Sequence, residues 1–177
     1  MRDPVQMLRS VVMNRRTTSG FSLFWAIALS SIVALTLTII PTPQAIFYFW
    51  PDWMALIVVY WALMVPDRIG PWVGFAIGTL LEVLFARNFG VLGFGLAMLA
   101  FAVNRAHLQL QVLPIGPQMV VVGLFIGLFK LTTGWLYGLT SDFTITTEYW
   151  YSLIGCIVAW PFVFILLQEL RRPTRTA

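Results

Sequence analysis

The chain has 177 residues, of which 59% are apolar, 15% aromatic and only 10% charged. Soluble domains are roughly 45–50% apolar and about 25% charged, so too few polar side chains are present to coat a water-facing globule, and a disordered, fibrous or disulfide-stapled chain is excluded. One cysteine, Cys156, and one histidine, His107, rule out an intrachain disulfide, a cysteine-cluster metal site and any site needing two histidines.

The first apolar run, residues 21–40, carries no charge and is long enough to cross a bilayer at 1.5 Å per residue. A signal peptide is the rival reading, because Arg9, Arg15 and Arg16 precede it. The run is too long for a signal core, and further apolar runs follow. Pro and Gly clusters then divide the remainder into runs at 53–65, 72–86, 91–103, 117–138 and 150–167. The expectation is an all-α polytopic membrane protein of six transmembrane helices. A basic head at 1–20 and a basic tail at 171–177 flank a transmembrane domain at 21–170. The second, third and fourth runs are short, at about 20 Å against about 30 Å of hydrocarbon. Tilt, flanking aromatics or a thinned bilayer would accommodate them, and a re-entrant pair is the alternative.

The net charge of +4 would suggest nucleic acid in a soluble chain; here its placement matters more, and no nucleic-acid partner is expected. With the N-terminus in the cytoplasm, Arg2, Arg9, Arg15, Arg16, Arg68, Arg105, Arg171, Arg172 and Arg175 all fall on the cytoplasmic side. These are nine of the eleven basic residues. The outer loops keep Arg87, with Asp52, Asp142 and Glu148. This asymmetry places both termini in the cytoplasm. Trp50, Trp53, Trp72, Tyr149, Trp150 and Tyr151 fall near span ends, as interfacial anchors or as core.

Two charges fall inside the runs, Glu82 and Lys130. A charge at bilayer depth costs about 2.5–3.5 kcal/mol on insertion scales, so it faces protein or water. Gly70, Gly74, Gly78 and Glu82 recur every fourth residue on one helical face, and Gly123, Gly127, Lys130 and Gly134 form another. Small residues at this spacing allow close helix approach, so both stripes are candidate packing or partner faces. Counted from their helix starts, Glu82 and Lys130 reach similar depths, near the middle of the core. Either they pair, or Lys130 snorkels and Glu82 is neutral.

No catalytic set assembles from one histidine in an expected cytoplasmic loop and one acid in the spans. Ser141 and Ser152 read as polar residues at span ends, and Cys156 as a small buried hydrophobe. Gly93 and Gly95 follow no strand and imply no phosphate site. No enzyme activity and no cofactor are expected.

Pro51-Asp52-Trp53, Trp61, Pro66-Asp67-Arg68, Gly74-Phe75, Gly78 to Glu82 and Phe89-Gly90, taken as an ordered set, resemble the MreD family of rod-shape-determining proteins. Trp160-Pro161 and Arg171-Arg172 resemble its proteobacterial branch. The resemblance covers roughly 45–172. It implies a non-catalytic inner-membrane scaffold that maintains rod shape by binding MreC, a membrane-anchored periplasmic protein. It also implies a larger assembly with MreB, RodA and a class B penicillin-binding protein, which positions peptidoglycan synthesis. The implied fold is similar to the substrate-binding subunits of energy-coupling-factor transporters, so a small-solute-binding transporter subunit is the alternative function. Two features depart from the family pattern. Its intramembrane acid is usually Asp, here Glu82, and Lys130 is not one of its hallmarks.

Overall fold

The computed structural model describes residues 20–40, 49–140 and 147–171. Among these it forms six α-helices: α1 (Gly20–Ile39), α2 (Trp53–Met64), α3 (Pro71–Phe85), α4 (Val91–Val112), α5 (Ile115–Thr140) and α6 (Thr147–Arg171). Ser141, Asp142, the basic head and, past Arg171, the basic tail lie outside the described residues.

The shortest helix sits at the centre. α2 is apolar on every side, and each residue from Met54 to Leu63 is buried, as expected of a helix with no polar stripe. It packs against α1, α4, α5 and α6. At 12 residues it is about 18 Å long. Its ends therefore lie well inside the thickness spanned by the longer helices around it.

Helix α4 is the second organising element and packs on α2, α3 and α5. The expected break at Asn104-Arg105 does not occur, and the helix runs on to Val112. His107, expected in a loop, is therefore helical. The polar residues are tolerated because they turn towards backbone groups that the short α2 leaves unpaired. Asn104 Nδ2 donates to Ile69 O at 2.9 Å, and Gln111 Nε2 donates to Leu63 O at 2.6 Å. Gln118 on α5 likewise donates to Leu110 O at 3.2 Å. Side-chain amides thus satisfy carbonyls that helix ends leave open.

Hydroxyls within the apolar helices are hidden in the same way. Ser30, Thr36 and Thr38 bond back to carbonyls three or four residues earlier. The indole of Trp61, almost wholly buried, donates to Ser30 Oγ at 2.9 Å and ties α2 to α1. Trp160, just before Pro161 inside α6, is fully buried and packs against Phe164.

The outside of the bundle is apolar. Val120, Leu124, Leu128, Leu131 and Trp135 on α5 are exposed, as are Ile154, Val158, Phe162 and Ile165 on α6. Exposed rows of this extent exceed what soluble monomers tolerate. Helices α4, α5 and α6 are long and apolar enough to cross a membrane; the described part of α1, and α2 and α3, are shorter.

Candidate functional site

Two polar centres lie inside the apolar bundle. The first is Glu82. Helix α3 has only 15 residues, so Glu82 falls in its last turn, just before a tight hairpin into α4, and not at mid-helix. Ala86 and Gly90 take positive φ values of 50° and 91° and reverse the chain within five residues. Glu82 serves both ends of the turn. Its carbonyl accepts the N–H groups of Ala86 and Arg87. Its carboxylate accepts those of Gly90 at 2.7 Å, Leu92, and Gly93 at 3.1 Å. It is 0% exposed. Three backbone donors at a helix N-terminus, with the positive end of the helix dipole, supply what a buried carboxylate needs. This links the family-like motif residues Glu82 and Gly90 physically: one caps the helix that the other begins.

The glycines of α3 complete this hairpin. A Cβ at Gly74 would lie 2.5 Å from Leu96 O, and one at Gly78 would lie 2.5 Å from Gly93 Cα. Gly70, by contrast, has nothing within 4 Å and acts as the N-cap of α3. On α5 a Cβ at Gly123 would meet Ile157 at 2.7 Å, and one at Gly127 would touch Leu153 at 3.7 Å. Gly134 is buried. Gly74 and Gly78 therefore face α4, and Gly123 and Gly127 face α6, which is the packing alternative of the two expected for these stripes. These four glycines allow the close approach of α4 and α6.

The second centre surrounds Lys130, and here neither of the two alternatives, a pair with Glu82 or a snorkelling lysine, is what the structure has. Lys130 Nζ lies 2.7 Å from Asp52 Oδ2, whereas the Glu82 carboxylate is taken by the α4 backbone. Lys130 does not snorkel to bulk solvent either: its side chain is 5% exposed, against 42% for Asp52. The ammonium also sits 4.4 Å from the centroid of the Tyr149 ring, within cation–π range. Tyr149 Oη bonds Lys130 O at 3.1 Å and lies 3.0 Å from Thr133 Oγ1. Asp52 is held from α6 by Ser152 Oγ, which donates to Oδ2 at 3.4 Å, and by Cys156 Sγ, which accepts the Asp52 N–H at 3.2 Å.

Asp52, expected as a loop acid, does precede α2, but sequence reasoning missed it as the partner of Lys130. The signal available was the length of α2. A helix of about 18 Å falls short of the longer helices around it, and Lys130, ten residues before the end of α5, lies about 15 Å from that end. The other residues of the expected motif form scaffolding. Pro51 and Trp53 flank Asp52, with Trp53 edge-on to Trp50. Pro66 and Arg68 lie in the turn from α2 to α3, where Asn104 bonds Ile69 O.

Between these centres, at the end of the bundle where α3 meets α4, lies a cavity of about 730 Å³ lined by residues of all six helices. Among the described residues no cluster of ligands suits a metal ion.

A family model described as rod shape-determining protein MreD matches residues 19–170, which takes in the six helices to within one residue. A protein of Haemophilus influenzae named rod shape-determining protein MreD is 25% identical over 161 residues, covering 88% of this chain and 96% of the relative. No solved structure matches the chain. The family is one of shape determination and not of enzymes, and its match accords with a membrane protein built from apolar helices. The chain belongs to the MreD family of rod shape-determining proteins.

Proposed function

We propose that the protein is a non-catalytic scaffold of the bacterial inner membrane that helps maintain rod shape by binding an MreC-type partner and helping to position peptidoglycan synthesis. MreB, RodA and a class B penicillin-binding protein are the further members of the assembly in this reading. All six helices cross or enter the bilayer, with both termini in the cytoplasm, in an arrangement similar to the substrate-binding subunits of energy-coupling-factor transporters. The observation that carries the reading is the family match across the whole helical bundle. The division of basic residues among the loops supports the orientation. The apolar rows on α5 and α6 supply surface for lipid and partner helices.

The test is affinity purification in mild detergent with identification of what co-purifies, alongside depletion of the protein in a rod-shaped host. Recovery of a bitopic periplasmic protein and rounding of the cells support the proposal. Recovery of an ATPase module with normal shape would assign the protein to transport. A reporter active only in the periplasm, fused to either terminus, should be silent.

A further inference from the structure

The cavity at the α3–α4 hairpin end has a composition that scaffolding does not require. Its volume of about 730 Å³ falls within the roughly 300–1,000 Å³ of small-molecule sites. Its walls are divided in character. Leu92, Leu96 and Phe129 give an apolar interior, while Arg87 and the Lys130–Asp52 pair bring charge. Two cations face one carboxylate, because the neighbouring Glu82 is occupied by backbone N–H groups and does not line the space. The balance is positive, and low-dielectric walls strengthen its attraction for an anion.

A second observation concerns donors. Trp53 lines the cavity, and among the described residues its buried indole N–H has no acceptor. A buried donor without an acceptor is costly and uncommon, and an acceptor-bearing guest would satisfy it. Lys130 retains donor capacity beyond its single bond to Asp52, since an ammonium carries three N–H groups.

We propose that this cavity binds an anionic amphiphile, a molecule with one phosphate or carboxylate head and an apolar body. The head lies towards Arg87, Lys130 and Trp53, and the body against Leu96 and Phe129. That chemistry is shared by soluble amphiphilic anions and by the heads of anionic lipids, and the experiment separates the two sources.

The full chain is placed in nanodiscs of phosphatidylcholine and titrated with hexyl phosphate, inorganic phosphate and hexanol, reading tryptophan fluorescence and the unfolding midpoint. Hexyl phosphate should give a saturable response. Inorganic phosphate and hexanol, each lacking half of the complement, should need about tenfold or more higher concentration. Arg87→Gln and Trp53→Phe should each weaken the hexyl phosphate response by about tenfold, the usual scale of a lost charge-assisted or buried hydrogen bond. Val120→Ala, on the exposed side of α5, should leave it unchanged. Arg87 is exposed, so its replacement does not threaten the fold. In discs containing phosphatidylglycerol, a weaker apparent affinity for hexyl phosphate identifies lipid as the competing occupant, and an unchanged affinity identifies a soluble one. No saturable response in neutral discs, an equal response to hexanol, or equal responses in wild type, Arg87→Gln and Trp53→Phe would overturn the proposal.

Discussion

Removing the two members of the Lys130–Asp52 pair should have unequal effects. At 2.7 Å the gross attraction is about 6 kcal/mol for an effective dielectric near 20, and desolvation offsets much of it. The residual depends on what is left behind. In Lys130→Met the surviving carboxylate is 42% exposed, so water takes over, and the loss should be about 1 kcal/mol or less, as for exposed pairs. In Asp52→Ala the surviving ammonium is 5% exposed and, among the described residues, keeps the Tyr149 ring as its compensating face. Stranding a buried charge costs about 3–5 kcal/mol. The alanine variant loses no capping bond, because the Asp52 side chain makes none. The double variant should recover most of the Asp52→Ala loss, giving a coupling of about 2–3 kcal/mol. Unfolding of the purified protein in mild detergent measures all four corners. Equal losses, a larger loss for Lys130→Met, or an additive cycle would refute the argument. The parallel cycle of Glu82→Gln with Lys130→Met should be additive to within about 0.5 kcal/mol.

Glu82→Ala should be among the most damaging single changes, costing about 3 kcal/mol or more, because three backbone N–H groups lose a charged acceptor; hydrogen exchange at Gly90 to Gly93 should rise, and protection at wild-type levels would count against the cap. Gly78→Ala should destabilise by about 1–3 kcal/mol through overpacking on the α4 backbone. Gly70→Ala, which meets no atom and changes only an N-cap, should cost about 0.5 kcal/mol, and similar melting shifts for the two would contradict the packing assignment. Ser30→Ala should cost about 1–3 kcal/mol by leaving the buried Trp61 indole without an acceptor, with Trp61→Phe partly relieving it in the double variant; an unchanged melting temperature in Ser30→Ala would show the bond to be dispensable.

The fold class could be read because composition and helical periodicity are local properties. The apolar runs located the helices, and the four-residue spacing of Gly74, Gly78 and Glu82 identified a packing face. What could not be read was where each helix stops in depth. The Asn104-Arg105 pair resembles a span end when only its polarity is counted. Its tolerance depends on α2 being short enough to leave Ile69 and Leu63 carbonyls within reach of Asn104 and Gln111. That is a tertiary fact with no signature in the α4 sequence.

The same depth error misassigned the charges. Counting residues upward from each helix start put Glu82 and Lys130 side by side, which presumes helices of equal extent. With α3 ending at Phe85, Glu82 stands at a hairpin turn, where the exposed dipole of α4 competes for it. A carboxylate bonded to three N–H groups of the next helix has no free acceptor directed at a distant ammonium. Lys130 is then left to the nearest acid at the same end of the bundle, Asp52, at the start of α2. The two buried charges are thus neutralised by different means, one by a helix terminus and one by a counterion. Only the second is open to water, through Asp52. A guest anion entering the adjoining cavity would meet Lys130 already shared with Asp52. It would bind through the ammonium N–H groups that Asp52 leaves free, beside the ion pair that joins the start of α2 to α5.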